Sequence, residues 1–252
     1  MSVMLAPPIT QPPTIVYPES NGKPMAETDT HIELTISTRF RLKQRYKDDS
    51  QIYVAANLLL YFEEGNPSAS VAPDVFVVFG APNHERRTYR LWEEQPAPAV
   101  IFEFTSTSTQ REDVRDKRIL YEQLGVREHF IFDPMRDYLK PPLKGFRLSG
   151  DYYTPLTTEA FDAGEWRLYS EELELELRTD GKQLRLFDPR ANSYLRTPQE
   201  EAEAREAAEA QARMAEQRAQ REAAARRAAE AQAQALVAEV ERLKAELARR
   251  NP

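Results

Sequence analysis

APDVFVVFG (residues 72–80), PAVIFEFTSTST (98–109) and REDVRDKRILYEQLGVREHFIFDP (111–134) make up the stretch that decides the fold. VFVVFG and AVIFEFT are short, continuous apolar runs, the pattern of strands covered on both faces. Each is joined to one acid, Asp74 at the entrance to the first and Glu103 inside the second. A charged glutamate between Phe102 and Phe104 is costly unless it is paired or bound to a cation. An outward-pointing Glu103 would avoid the cost, but the run is apolar on both sides.

STSTQRED then reads as a loop and helix start, with Ser or Thr caps and acids in the first turn. Beyond it each residue advances by ~100° around a helix. That rotation puts Val114, Lys117, Tyr121 and Leu124 in one stripe, with Asp113 and Leu120 beside it. Lys117 is thus on the face turned toward the sheet, unless it serves only as the i, i+4 partner of Asp113. Gly125 ends the helix at its C′ position, HFIF is a further strand, and Asp133-Pro134 closes it. Strand, helix, strand with short joints predicts a right-handed βαβ crossover in a mixed sheet flanked by helices, an α/β fold.

Two strand-borne acids and a helical lysine suit metal-assisted cleavage of a phosphodiester. That reaction needs a polarised phosphoryl oxygen, a nucleophilic water and compensation for charge on the leaving oxygen. Asp74, Glu103 and the backbone carbonyl of Phe104 offer hard oxygen ligands of the kind Mg²⁺ takes while keeping several waters. Lys117 would orient one of those waters and offset the developing charge.

Outward from this stretch the chain divides into three. Residues 1–27 are rich in proline, which removes amide donors and fixes φ, so an extended, poorly packed arm is expected. Residues 28–196 hold the α/β domain. Within it Ile32, Ile36 and Phe40 recur at i+4 after Asp29 or Thr30 as N-cap, predicting an amphipathic helix to about Tyr46. Glu33 beside that stripe is either a solvated first-turn acid or a member of a metal site. IYVAANLLLYFE (52–63) reads as one strand or a strand with a bulge, and EEGNPSAS as a turn. In the loop APNHERRTYRLWEEQPAP, Arg86, Arg87 and Arg90 alternate with Tyr89 and Trp92. Such a loop either grips a nucleic-acid backbone or covers a sheet edge. GFRLSGDYYTPL predicts a hairpin turning at Gly150-Asp151, and LELELRTDGKQLRLFD another around Asp180-Gly181, with Glu174 and Glu176 on its solvated face.

Residues 197–252 change character. They hold no aromatic residue and no glycine, and are dominated by alanine, glutamate, arginine and glutamine, all helix formers. Pairs such as Glu201/Arg205 and Glu222/Arg226 add i, i+4 support. Leu236, Val240, Leu243 and Leu247 follow an a/d spacing, so the last turns can pair with another chain as a coiled coil. Upstream the seam fades, leaving a long exposed helix.

Composition sets limits. The 252 residues carry 34 basic and 41 acidic side chains, a net charge of −7, which argues against binding nucleic acid by bulk charge. A local basic cleft remains open, since a metal ion adds positive charge where a phosphate must sit. No cysteine is present, which excludes disulfides, zinc thiolates and cysteine nucleophiles. His31, His84 and His129 lack any paired-ligand spacing. No apolar run approaches the ~18 residues of a membrane span, and the N-terminus lacks the basic and apolar regions of a signal peptide. A cytoplasmic location away from membranes is expected.

Pro73-Asp74, Glu103 in EFTSTST, the DxxxK of Asp113 and Lys117, and YxxxGVREHFIFDP together resemble the Uma-type family of endonucleases. That family belongs to the PD-(D/E)XK restriction-endonuclease-like superfamily. The resemblance covers about residues 29–189, and the alanine-rich tail is similar to that of a family subgroup. It implies a restriction-endonuclease-like core, an endonuclease dependent on Mg²⁺ or Mn²⁺, and DNA as substrate. It also implies a homodimer or higher oligomer, because a duplex has two strands to cut. Asp74, Glu103 and Lys117 would be catalytic, with Asp74, Glu103 and the Phe104 carbonyl as metal ligands and Arg86, Arg87, Arg90 and Thr105 as substrate contacts. The superfamily places a lysine two residues after the glutamate, where this chain has Thr105. The resemblance implies that the lysine has moved to the following helix, at Lys117, and that Glu33 matches the first-helix glutamate of many superfamily members. The rival from another class is an inactive nucleic-acid-binding or scaffold protein of the same fold assembling through its tail. A small-molecule hydrolase ranks last, for want of a GxSxG motif.

Overall fold

The computed structural model describes residues 15–20, 28–94, 96–105 and 115–250, with side chains to residue 247. It splits into two compact units, Met1–Pro198 and Gln199–Pro252. The first contains α1 (Asp29–Arg45), β1 (Ile52–Ala56), β2 (Leu60–Tyr61), β3 (Ser70–Val71), β4 (Val75–Phe79), β5 (Tyr89–Arg90), the single turn α2 (Leu91–Glu94), β6 (Val100–Phe104), α3 (Lys117–Gln123) and β7 (Glu128–Phe132). It continues through β8 (Leu143–Ser149), β9 (Tyr152–Pro155), β10 (Glu159–Asp162), β11 (Glu165–Ser170), β12 (Leu175–Asp180), β13 (Gln183–Asp188) and β14 (Ser193–Tyr194). The long helix α4 (Pro198–Arg250) makes up the second. The fold is α/β with mixed sheets and a long C-terminal helix.

The main sheet runs β1-β4-β6-β7-β8-β9 and is antiparallel except for β6 and β7. A parallel pair cannot be joined by a tight turn, so the chain crosses over through α3, the βαβ unit expected from residues 98–134. Every residue of β6 and β7 is buried. Alternation sends Val100, Phe102 and Phe104 into a core shared with Leu34 and Leu42 of α1 and with the five-stranded sheet β10-β11-β12-β13-β14. Ile101 goes the other way, with Phe76, Val78 and Tyr121 of α3. The βαβ helix ends as expected, with Gly125 at φ +75° after Leu124. The Gly150-Asp151 hairpin joins β8 to β9, and β12 pairs with β13 about Gly181.

Several expectations are corrected. The run 52–63 is broken by Asn57 at φ +48°, whose N–H bonds the carbonyls of Pro73 and Asp74, and Leu60–Tyr61 joins a separate three-stranded sheet with β3 and β5. Asparagine tolerates that left-handed conformation better than other non-glycine residues. Helix α1 turns Ile32 and Ile36 outward and buries Leu34, Thr35, Ser37, Thr38, Arg41 and Leu42 instead. The fully buried Arg41 is accommodated because its guanidinium donates to the Leu184 carbonyl at 2.7 Å. The apolar stripe of α1 is therefore not its core face. Residues 157–170, unassigned from sequence, supply β10 and β11, while Glu174 sits at φ +54° ahead of β12.

Of the proline-rich arm, residues 15–20 lie on the domain. Tyr17 packs its ring near Tyr61 and Trp92 and accepts a bond from the Gly65 N–H at 2.7 Å. The rest of the arm, the STSTQRED loop, and Asp113 and Val114 lie outside the described residues. In α4, Arg205 pairs with Glu209 and Glu222 with Arg218 rather than with the partners expected. Leu236, Val240, Leu243 and Leu247 are exposed along it. No helix among the described residues is long and apolar enough to cross a membrane.

Candidate active site

Val75 of β4 faces Phe102 of β6, so continuing the antiparallel register brings Asp74 opposite Glu103. Both acids are buried. The Phe104 N–H donates to Asp74 Oδ2 at 2.6 Å, tying the first acid to the second strand. Asp74 Oδ1 accepts from His31 Nε2 at 3.1 Å. His31 reaches it because Thr28 caps α1 by accepting the His31 N–H at 3.3 Å, which fixes the orientation of the first turn.

Glu103 is 1% exposed, and its partners include two side chains of α3. Lys117 Nζ donates to Oε2 at 2.8 Å and the Tyr121 hydroxyl to Oε1 at 2.6 Å. Lys117 and Tyr121 are one helical turn apart, so a single face of α3 delivers both donors. Beneath Tyr121 lies His129 of β7, ring to ring at 5.0 Å and nearly perpendicular. Burial, followed by the positive charges of Lys117 and Arg118, pushes the His129 pKa down to about 3. Its imidazole is therefore neutral at pH 7, and neither ring nitrogen has a hydrogen-bond partner.

The structure thus brings Asp74, Glu103, the Phe104 backbone and Lys117 together. Glu33 does not join them: two residues beyond His31 is a rotation of about 200°, which carries it to the exposed side. Arg86 turns inward. Its guanidinium donates to Pro82 O, His84 O and Glu94 and lies 4.2 Å from the Tyr53 ring centre, holding the loop closed. Arg87 pairs with Glu19, and Arg90 pairs with Glu93 under the same arm that Tyr17 anchors. Thr105 is buried, donates its N–H to Phe132 O, and accepts from the Tyr138 hydroxyl. Tyr138 and Leu139 in turn donate their N–H groups to Asp133, the acid that ends β7.

Sequence reasoning missed His31, which carries no local motif. Tyr121 was on the stripe with Lys117, though its link to Glu103 was not. Among the described residues no three His, Asp or Glu side chains gather as a cation site. A divalent ion here would be held by two carboxylates and a main-chain oxygen. That set fits Mg²⁺, which is commonly bound by one or two carboxylates with water and substrate completing its shell.

The site defines a class, an α/β domain with two strand-borne carboxylates beside a lysine. Residues 19–204 match the Uma2 family, described as "Putative restriction endonuclease", and the chain belongs to that family. Among solved structures, a protein from Anabaena variabilis titled a "putative nuclease belonging to DUF820" is similar at 14% identity, over 58% of this chain and 81% of that one, with a TM-score of 0.40. No curated protein matches.

Proposed function

We propose that the chain is a DNA endonuclease dependent on Mg²⁺ or Mn²⁺, working in the cytoplasm. The observation that carries the reading is Glu103, buried in an apolar strand opposite Asp74 and bonded to the Lys117 ammonium. Asp74, Glu103 and the Phe104 carbonyl would hold the ion. The Phe104 N–H points at Asp74, and in an extended strand the carbonyl of the same residue leaves on that side. A bound divalent ion supplies Lewis-acid polarisation of the phosphate and a more acidic water.

The chain's own residues do the rest. Lys117 brings a positive charge to the phosphoryl oxygens and a donor that orients water. His31 and Tyr121 hold the two carboxylates in place, as outer hydrogen-bond partners do in metal sites. Water adds to phosphorus, one P–O ester bond breaks, and the departing oxygen takes up a proton.

The test is nicking of supercoiled plasmid by the full chain with Mg²⁺ or Mn²⁺ against EDTA. Asp74→Ala, Glu103→Ala and Lys117→Ala should each abolish it, with circular dichroism unchanged. A wild-type chain that cleaves no DNA form sinks the reading, and binding without cleavage would favour a non-catalytic scaffold. We also propose that the exposed Leu236–Val240–Leu243–Leu247 seam pairs copies of the chain. Truncation after residue 197 should lower the sedimentation coefficient beyond the lost mass while the core keeps its melting temperature; a purely mass-proportional change contradicts pairing.

A further inference from the structure

We infer that the outer face of α1 and the edge of β1 form a track for the sugar-phosphate backbone of DNA leading away from the Asp74–Glu103 site; this rests on the nuclease reading above. The track begins at Asn57, whose N–H bonds the Asp74 carbonyl at 3.2 Å. Asn57 and Ala56 line a cleft of about 500 Å³ with Ile36, Arg39, Phe40 and Lys43 of α1. A second cleft of about 500 Å³ shares Arg39, Lys43 and Ala56 with the first and continues to Asn83, His84 and Arg86. The two are therefore one groove, and it ends beside the backbone of the candidate catalytic acid.

Charge selects the occupant. Arg39 and Lys43 are exposed, one turn apart, and no carboxylate within salt-bridge distance of either is found among the described residues. Arg86, turned inward onto Glu94, adds no free charge, and Glu85 is the one acid among the lining side chains. A basic groove stands out in a chain whose net charge is −7. Arg39 and Lys43 are on the same helix as His31, the histidine that bonds Asp74. At the helical rise the two cations lie roughly 12 and 18 Å beyond His31, the axial length of roughly three to five nucleotides of duplex. Ile36, 54% exposed, and Phe40 supply apolar contact between them, which suits deoxyribose. This gives the outward stripe of α1 a role that core packing does not.

The experiment measures binding without cleavage: full-length protein, a fluorescein-labelled 20-base-pair duplex, EDTA present, and anisotropy across a NaCl series. Each phosphate contact contributes about −0.9 to the slope of log K against log salt, so Arg39→Gln with Lys43→Gln should flatten the slope by about 2. Arg221→Gln with Arg227→Gln, an equal charge loss on α4, should leave it unchanged. An unaltered slope in the α1 variant, an equal flattening by the α4 control, or no duplex binding by wild type overturns the track. So does a variant that binds DNA normally but dissociates in sedimentation, since the groove would then hold a second copy. Wild type that binds with the expected slope but never cleaves with metal sinks the nuclease reading and leaves the track standing. Cleavage with an unaltered slope does the reverse.

Discussion

Glu103 and Glu128 are buried glutamates on neighbouring parallel strands, 1% and 0% exposed, at opposite ends of the pair. Their surroundings differ in kind. Glu128 accepts from Arg147 Nε and a terminal guanidinium nitrogen at 3.0 and 2.9 Å, from the Glu171 N–H at 3.0 Å, and from the Ser170 hydroxyl. These bonds tie β7 and β8 to the end of β11. Glu103 instead faces a lysine and a tyrosine on the crossover helix, beside a second acid. Ligands in α/β sheets gather at the carboxyl ends of strands, and Glu103 is near that end of β6 whereas Glu128 opens β7. On the nuclease reading proposed above, equal burial carries two meanings, one of stability and one of chemistry.

The comparison is broken most directly by Glu103→Gln. The variant should lose about 10³-fold or more in metal-dependent nicking, the scale on which single electrostatic contributors act, while its thermal unfolding stays near wild type. Activity within tenfold of wild type would erase the distinction. Glu128→Ala should do the converse, costing about 3 kcal/mol of stability in urea titrations, the low end for a broken buried pair because Arg147 is 27% exposed. Its cleavage rate per folded molecule should be unchanged.

A smaller effect sharpens the picture of Glu103. Tyr121→Phe keeps the packed ring but removes the hydroxyl, and should weaken Mg²⁺ or Mn²⁺ binding by calorimetry about tenfold, the lower figure for an outer partner. Unchanged affinity would show that Lys117 alone orients the carboxylate. His129, between the two glutamates in the sheet, should matter only in acid. Its folded pKa of about 3 lies below the 6.5 of a free imidazole, so between those values the unfolded chain binds a proton that the folded chain refuses. Stability therefore falls as pH drops through that window, and His129→Leu should flatten the fall. An identical pH profile for the variant would mean that the ring is protonated in the fold.

Much of this was legible locally. The apolar runs around Asp74 and Glu103, the stripe holding Lys117 and Tyr121, and Gly125 as a stop depend on short-range sterics and periodicity, and the βαβ unit followed from them. The five-stranded sheet was only half legible, because β10 and β14 are exposed and carry little apolar alternation. Helix α1 was recognised but turned the wrong way. Its isoleucine stripe looked like a core face, whereas two leucines and small polar residues fit the space between sheets and Arg41 finds a carbonyl there.

By itself the sequence determined the central βαβ unit, the two acids, the lysine that stands where no ExK motif exists, and the helical tail. These are matters of spacing within a few tens of residues. Only the tertiary structure decided that His31 rather than Glu33 meets Asp74, that Arg86 is spent inside its own loop, and that Arg39 and Lys43 line a groove reaching the site. Those are choices among side chains of similar chemistry, settled by which direction each element is rotated when the layers pack, and no local periodicity records that angle.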